Sequence, residues 1–196
     1  MSVLALLSTF LPWIVFKVIL LIPGVDELLM LKIGITAAAL ICAYQSYSGL
    51  NKGIIAWGTM SFFALSLVMV VGLTNVWYMF HLGIFSNGTL ALLTWVSILL
   101  GKPFTLSYAK QYVDPKLWDS PGFIHKNYKI TAAWGMSFTI ALVDSLVRLQ
   151  YPGIPWFVSE CIDDLSMVVA IYYTKHLSKP PAQQTQAEVH SSSVSG

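Results

Sequence analysis

Charged side chains are scarce in this sequence. Asp, Glu, Lys and Arg together make up 10% of the 196 residues, whereas hydrophobic residues make up 56%. Soluble domains carry about 25% charged residues, and the mean hydropathy of +0.69 is well above the value that such domains normally show. The composition therefore excludes an ordinary soluble domain. It predicts an all-α protein embedded in a lipid bilayer, which is the first partner we expect.

Cysteine is nearly absent, and the two cysteines do not form a metal-binding or redox motif. Cys42 and Cys161 fall inside predicted apolar helices and are not arranged as C-x-x-C, so the sequence favours two free thiols. The net charge of +2 is too small to indicate nucleic-acid binding. We therefore expect no cofactor and no nucleic-acid partner.

Catalytic signatures are missing as well. The sequence contains no H-E-x-x-H, no D-x-x-D pair, and no Ser or Cys with a motif-level base partner. The segment "GKPFT" lacks the upstream glycine and the preceding strand of a phosphate-binding loop. We predict no catalytic, cofactor-binding or metal-ligating residues, and a membrane-embedded lipid enzyme is the poorest of the functional hypotheses.

Six apolar stretches are long enough to cross a bilayer. A crossing needs about 20 residues, because the hydrocarbon is about 30 Å thick and a helix rises about 1.5 Å per residue. Gly, Pro, Asn or charged residues separate the stretches. The first lacks the basic start and small-residue cleavage site of a secretion signal, so we expect it to be retained. The predicted spans are residues 3–22, 29–48, 53–73, 80–101, 128–148 and 154–175.

These spans predict one polytopic helical bundle over residues 1–176, followed by a polar, disordered cytoplasmic tail over residues 177–196. Lysines gather in the loop after the second span, in the long loop after the fourth, and in the tail. The positive-inside rule therefore predicts that both termini are cytoplasmic. The lysines concerned are Lys52, Lys102, Lys110, Lys116, Lys126, Lys129, Lys175 and Lys179.

Carboxylates interrupt the last apolar stretch at "SECIDDLSM", residues 159–167. Glu160, Asp163 and Asp164 have i, i+3, i+4 spacing and therefore share one helix face. Residue counting places them in the outer half of the bilayer, where other charged residues are expected at similar depth. We expect Lys17 and Arg148 to neutralise part of this cluster, the latter through Asp144 or Glu160. The full predicted cluster is Lys17, Lys32, Asp144, Arg148, Glu160, Asp163 and Asp164.

The cluster has more than one interpretation. A charge at the centre of a membrane helix costs about 2.5 to 3.5 kcal/mol on insertion scales, so such residues face one another or water. The cluster is therefore either an ion-pair network that fixes helix packing, or an outward-facing polar pocket that handles a substrate or a proton. A metal site would also use carboxylate oxygens, but the sequence places no second histidine near them.

The long loop over residues 102–127 interleaves aromatic residues with lysines. This pattern is typical of a segment that lies on the membrane surface. A solvated linker is the alternative, because three prolines prevent one long helix. The predicted membrane anchors are Lys102, Phe104, Tyr108, Tyr112 and Trp118.

Three segments resemble a known family. They are "FLPWIVF", "LLTWVSILLGKPFTLSYAK" and "LWDSPGFIHKNYKITAAWGMSF". In order and spacing they resemble the bacterial intracellular septation protein A family of small inner-membrane proteins. In that family Phe-Leu-Pro opens the first span, Lys-Pro ends a Trp-containing span, and Trp, Asn and Trp lead into the next. The matching positions here are Phe10, Leu11 and Pro12; Trp95, Lys102 and Pro103; and Trp118, Asn127 and Trp134.

The resemblance covers about residues 8–176 and implies a multi-pass protein of the bacterial inner membrane. It implies a role in cell-envelope maintenance or septation, through contacts with other inner-membrane division or envelope proteins, and it implies no catalytic residues. The acidic run of the last span departs from the family pattern.

The sequence is compatible with two functional hypotheses. The chain is an interaction or scaffold protein, or it is a small-solute or proton-linked transporter with an outward-facing cavity lined by acids of the last helix. Complete pairing of the charges favours the first, whereas an unpaired acid in a hydrated cavity favours the second.

Overall fold

The computed structural model describes residues 8–49, 53–111 and 113–178, and within these residues the chain is helical and contains no β-strand. The predicted all-α fold is confirmed for this part of the chain. A π-helical segment, Leu67–Gly72, continues α3, and a short 3-10 turn, Pro115–Leu117, precedes α7. The α-helices are α1 (Leu11–Leu20), α2 (Glu27–Tyr47), α3 (Ile54–Ser66), α4 (Val76–Phe80), α5 (Leu82–Leu99), α6 (Phe104–Ala109), α7 (Pro121–Gln150) and α8 (Trp156–Ser178).

Four helical segments in the described residues are long and apolar enough to cross a membrane. They are Glu27–Tyr47, Ile54–Gly72, Leu82–Leu99 and Pro121–Gln150, and they correspond to the second to fifth predicted spans. α1 is too short to meet the same criteria, and α8 carries too many charged residues. The first and sixth predicted spans are therefore helices whose crossing of the membrane stays a prediction.

Two boundaries differ from the sequence predictions. α7 begins at Pro121, several residues before the predicted start at residue 128. Proline is well suited to the first turn of a helix, because backbone N–H groups there have no hydrogen-bond partner within the helix. Pro121 is therefore the first residue of α7. α8 continues through Ser178, beyond the predicted start of the tail. Tyr112 and residues 179–196, which make up the rest of the predicted tail, lie outside the described residues.

Short polar side chains determine where two of the other helices begin. The Asp26 carboxylate accepts a hydrogen bond from the Leu29 backbone N–H at 2.8 Å before α2. The Asn75 side chain accepts one from the Tyr78 N–H at 2.9 Å before α4. Each bond satisfies a backbone donor that the first helical turn leaves free.

The helices pack in a continuous series. α1 packs along α2, α3 lies between α2 and α5, and α7 lies between α5 and α8. Neighbouring long helices run antiparallel: for example, Asn87 near the start of α5 bonds to Ser145 near the end of α7, whereas Trp95 bonds to Thr139. The turns before α2, α4 and α8 therefore lie at one end of the bundle, which we call the α7–α8 turn end.

Aromatic residues at the start of α1 connect the two halves of this series. Phe10 stacks on Trp134 of α7 with ring centroids 5.0 Å apart. Trp13 stacks on Phe62 of α3 at 4.8 Å, and its Nε1 donates to Thr59 Oγ1 at 3.0 Å. Trp13 thereby packs against both buried apolar clusters of the described residues, so α1 lies in the middle of the bundle rather than at its edge.

α5 and α7 approach each other closely at a glycine. A Cβ atom on Gly135 would lie 3.0 Å from Trp95 Cε2 and 3.2 Å from Thr94 Cγ2. The Trp95 Nε1 donates to Thr139 Oγ1 at 3.0 Å one helical turn away. Helices in a bilayer associate through such close packing at small residues and through interhelical hydrogen bonds, because lipid is as apolar as their side chains.

We predict that Gly135→Leu destabilises the protein by about 1 to 3 kcal/mol, because overpacking must displace the rigid Trp95 ring. Unfolding in detergent micelles, followed by near-UV circular dichroism, measures the change. Gly122→Leu is the matched control on the same helix, since a Cβ there would have no surrounding heavy atom within 4 Å. Equal stability of the two variants would contradict the close approach of α5 and α7.

Candidate functional site

Two carboxylates of α8 converge on Lys17 of α1. The Lys17 Nζ lies 2.9 Å from Glu160 Oε2 and 2.5 Å from Asp164 Oδ1. Glu160 and Asp164 are i, i+4 neighbours on one helix face, so both reach the same ammonium group. We call these three residues the Lys17 clamp. Its two contacts are the only ion pairs within 4 Å among the described residues.

The Lys17 clamp is partly exposed and lies toward the α7–α8 turn end. Its side chains are 39% exposed for Lys17, 33% for Glu160 and 62% for Asp164. Lys17 is three residues before the end of α1, and Glu160 is four residues after the start of α8, which places both about 5 to 6 Å from the helix ends. The clamp therefore lies near one end of each of the two helices.

The other two acids of the predicted cluster face the α7–α8 interface. The Ser159 hydroxyl donates to Asp144 Oδ1 at 3.1 Å, and Ser159 is buried. Asp163 lies within electrostatic range of Asp144 and of the clamp. Its Oδ1 is buried and has no hydrogen-bond partner among the described residues. One acid is therefore bonded to a serine, and the other keeps a buried oxygen without a donor.

Hydrogen bonds continue along the same interface. The Ser137 and Ser166 hydroxyls bond at 2.9 Å, and the Trp134 Nε1 donates to Thr174 Oγ1 at 3.0 Å. Together with the Ser159–Asp144 bond, they form what we call the α7–α8 polar ladder. Sequence reasoning considered only charges and missed it. The signal is present in the sequence: Ser159, Ser166 and Thr174 recur at intervals of seven and eight residues, which keeps them on one helix face.

Two predicted members of the cluster lie elsewhere. The Lys32 Nζ donates to Thr74 Oγ1 at 3.3 Å, beside the turn after α3. Arg148 makes no ion pair within 4 Å in the described part of the chain, and it lines a separate cavity between α5 and α7. The prediction that Arg148 neutralises Asp144 or Glu160 is therefore wrong. Residue counting matched their depths, but it did not give the direction in which each side chain points.

Two predicted membrane anchors are buried in the protein. Phe104 is 1% exposed and Tyr108 is 3% exposed, because these i, i+4 residues form the inner face of α6. Thr105 holds α6 against α7 through a 2.8 Å bond between its hydroxyl and that of Thr131. The prediction that Phe104 and Tyr108 contact lipid is therefore wrong, because α6 packs against α7 and α5.

The remaining predicted anchors lie nearer the surface. Lys102 is exposed. Trp118 is partly buried, and its Nε1 donates to the Val113 carbonyl at 3.0 Å. The Lys110 Nζ lies 5.1 Å from the centre of the Trp118 ring, a distance at which a cation is attracted to an aromatic face. These contacts order the loop whether or not it touches lipid.

An apolar groove lies beside the α7–α8 polar ladder. Its volume is about 470 Å³, and the hydroxyl-bearing residues Ser137, Ser166 and Tyr173 are its polar members. The other lining residues are Ala133, Met136, Ile140, Ile162, Leu165, Val169 and Ala170. No acid lines this groove, so it is not the polar cavity that the transporter hypothesis requires. In the described residues, no group of three or more His, Cys, Asp or Glu side chains could hold a metal ion.

Comparison with known proteins provides no further constraint. No protein-family model, no curated protein and no solved structure matches this chain. The resemblance to the septation protein A family therefore remains a prediction from three segments, and the geometry of the Lys17 clamp and the α7–α8 interface carries the functional argument.

We predict that Lys17→Met destabilises the bundle by about 1 to 3 kcal/mol. The change leaves Glu160 and Asp164 without a cation, and stranding a charge costs more as it becomes less solvated. The partial exposure of the pair keeps the cost below that of a fully buried one. Thermal or denaturant unfolding in mild detergent measures the effect.

The triple variant Lys17→Met/Glu160→Gln/Asp164→Asn is expected to recover part of this loss, because it removes the stranded charges. Lys175→Met is the control, since Lys175 is an exposed residue at the opposite end of α8. A Lys17→Met protein as stable as the Lys175→Met protein would show that the clamp contributes nothing to the fold.

Proposed function

We propose that the chain is a six-span protein of the bacterial inner membrane that acts as an interaction scaffold in septation or cell-envelope maintenance. The observation that carries this proposal is the Lys17 clamp, because it uses the charges of the first and last helices to hold the bundle together. Charges committed to one another in this way are not free for a transported solute.

The six-span arrangement is supported by the dimensions of α8. Its 23 residues extend about 34 Å, which is enough to cross the hydrocarbon. The clamp and the α7–α8 polar ladder lower the cost of its acids.

The orientation is supported by the distribution of cations along the bundle. Lys102, Lys116 and Lys175 lie at the end opposite the α7–α8 turn, whereas Lys32 and Arg148 lie near that turn. The positive-inside rule assigns the lysine-rich end to the cytoplasm. Under this proposal the folded loop that carries α6 is the cytoplasmic face, and it is the surface presented to division or envelope proteins.

A proton-linked carrier is the second candidate, and Asp163 is the observation that favours it. Its buried Oδ1 has no donor among the described residues, and its neighbours include Asp144, Glu160 and Asp164 with Lys17 as the nearby cation. One lysine does not neutralise four carboxylates, so a proton could occupy this site. The adjacent groove has an apolar lining, which does not suit a polar solute, so the scaffold is preferred.

We predict that Asp163→Asn leaves the proton permeability of proteoliposomes unchanged. A pH-sensitive dye trapped inside the vesicles reports proton entry after an acid jump, and Asp119→Asn in the exposed loop is the control. The scaffold has no coupled proton path, so wild type and both variants should match empty vesicles. Proton entry above that level that Asp163→Asn abolishes would establish the carrier instead.

Deletion of the gene in the bacterium that encodes it is expected to change cell length or the placement of septa, because a missing scaffold uncouples its partners. Microscopy of dividing cells measures the effect. Wild type should restore normal division, Lys17→Met should restore it incompletely, and Lys175→Met should restore it fully. Normal division in the deletion strain, including under envelope stress, would refute a role in septation or envelope maintenance.

A further inference from the structure

A second cavity lies at the α7–α8 turn end, between α5 and α7. Its volume is about 510 Å³, and it is bounded by the end of α4, the beginning of α5, the end of α7 and the turn that follows α7. The lining residues are Phe80, Gly83, Ile84, Ser145, Arg148, Leu149, Tyr151, Pro152 and Ile154. None of them belongs to the Lys17 clamp, so the cavity is independent of the site described above.

Arg148 is the charged residue of this cavity. It makes no ion pair within 4 Å with any residue that the structure describes, and the set of lining residues contains no Asp or Glu. A guanidinium group offers five donors in a planar fork that matches the oxygens of a phosphate. The cavity therefore presents a positive charge with donors and without an acceptor of opposite sign.

Contacts between α5 and α7 form the wall of the cavity beside Arg148. The Ser145 hydroxyl donates to the Ala141 carbonyl at 2.9 Å and accepts from the Asn87 amide at 3.0 Å. A Cβ on Gly83 would lie 3.2 Å from Ser145 Oγ, so α5 and α7 are in close contact at these two lining residues. These side-chain hydrogen bonds are made within the contact between α5 and α7, and Arg148 is the cationic group of the lining.

The position of the cavity indicates the source of the anion. Phe80 and Tyr151, at its rim, are both exposed, as is typical of aromatic residues at the level of lipid headgroups. We propose that this cavity binds the phosphate group of an anionic phospholipid through Arg148. A zwitterionic headgroup fits less well, because the lining offers no carboxylate for its ammonium group. The proposal requires that the bundle lies in a membrane, but it does not depend on a role in septation.

Native mass spectrometry of the detergent-purified full chain tests the proposal. Phosphatidylglycerol and phosphatidylcholine are titrated separately into wild type, Arg148→Ala and Lys32→Ala. Wild type should bind phosphatidylglycerol more tightly, and Arg148→Ala should lose about tenfold in affinity, as expected when a charge-assisted bond is removed. Lys32→Ala is the matched control, because Lys32 is at the same end of the bundle but bonds to Thr74.

Two further measurements keep the test decisive. Arg148→Lys retains the charge but not the fork, so it should bind phosphatidylglycerol with intermediate affinity even if the alanine variant folds poorly. Inorganic phosphate is titrated as a soluble competitor, and it should not displace the lipid at millimolar concentration. Equal losses in Arg148→Ala and Lys32→Ala would overturn the proposal, as would equal affinities for the two lipids or displacement by inorganic phosphate.

Discussion

The arrangement of the last helix depends on the ion pairs that the Lys17 ammonium group forms with Glu160 and Asp164. This ammonium group joins α1 to α8 across 147 residues of sequence and offsets two of the three carboxylates that α8 carries. In the proposed six-span arrangement, the charged stretch of α8 would be costly at membrane depth without that cation. With it, the acids contribute to helix association instead of opposing it, and a helix that fails a simple hydropathy criterion packs beside α7.

The central position of α1 makes this contact possible. Phe10 and Trp13 fix the start of α1 between α7 and α3 through stacked rings. Lys17 follows Trp13 by four residues and therefore projects from nearly the same side of the helix. Aromatic packing sets the position of α1, and the ion pairs then select the face of α8 that meets it. Neither interaction alone would determine both.

Hydropathy made the principal helices predictable, because a span of about 20 apolar residues is an unusual pattern. Depth was predictable too, since residue counting placed Lys17 and Glu160 at one level. The direction in which a side chain projects from the helix axis was not predictable. Arg148 was expected to pair with an acid, but it lines a separate cavity. The prediction that Phe104 and Tyr108 anchor the loop to the membrane was wrong for a related reason. Aromatic side chains are common both at a membrane surface and in a protein interior. Only the packing of α6 on α7 distinguishes these environments.

Polar side chains solve a problem that apolar packing leaves open within a bilayer. Contacts of Leu, Val and Ile with another helix are little more favourable in free energy than contacts with lipid. Apolar packing therefore specifies the vertical register of two helices only weakly. The α7–α8 polar ladder pairs Trp134 with Thr174, Ser137 with Ser166, and Asp144 with Ser159. Each such bond contributes only about 0.6 kcal/mol on average. A slide by one helical turn would break all three together and would also move Glu160 and Asp164 away from Lys17, so the register of α8 is set jointly by the ladder and the clamp.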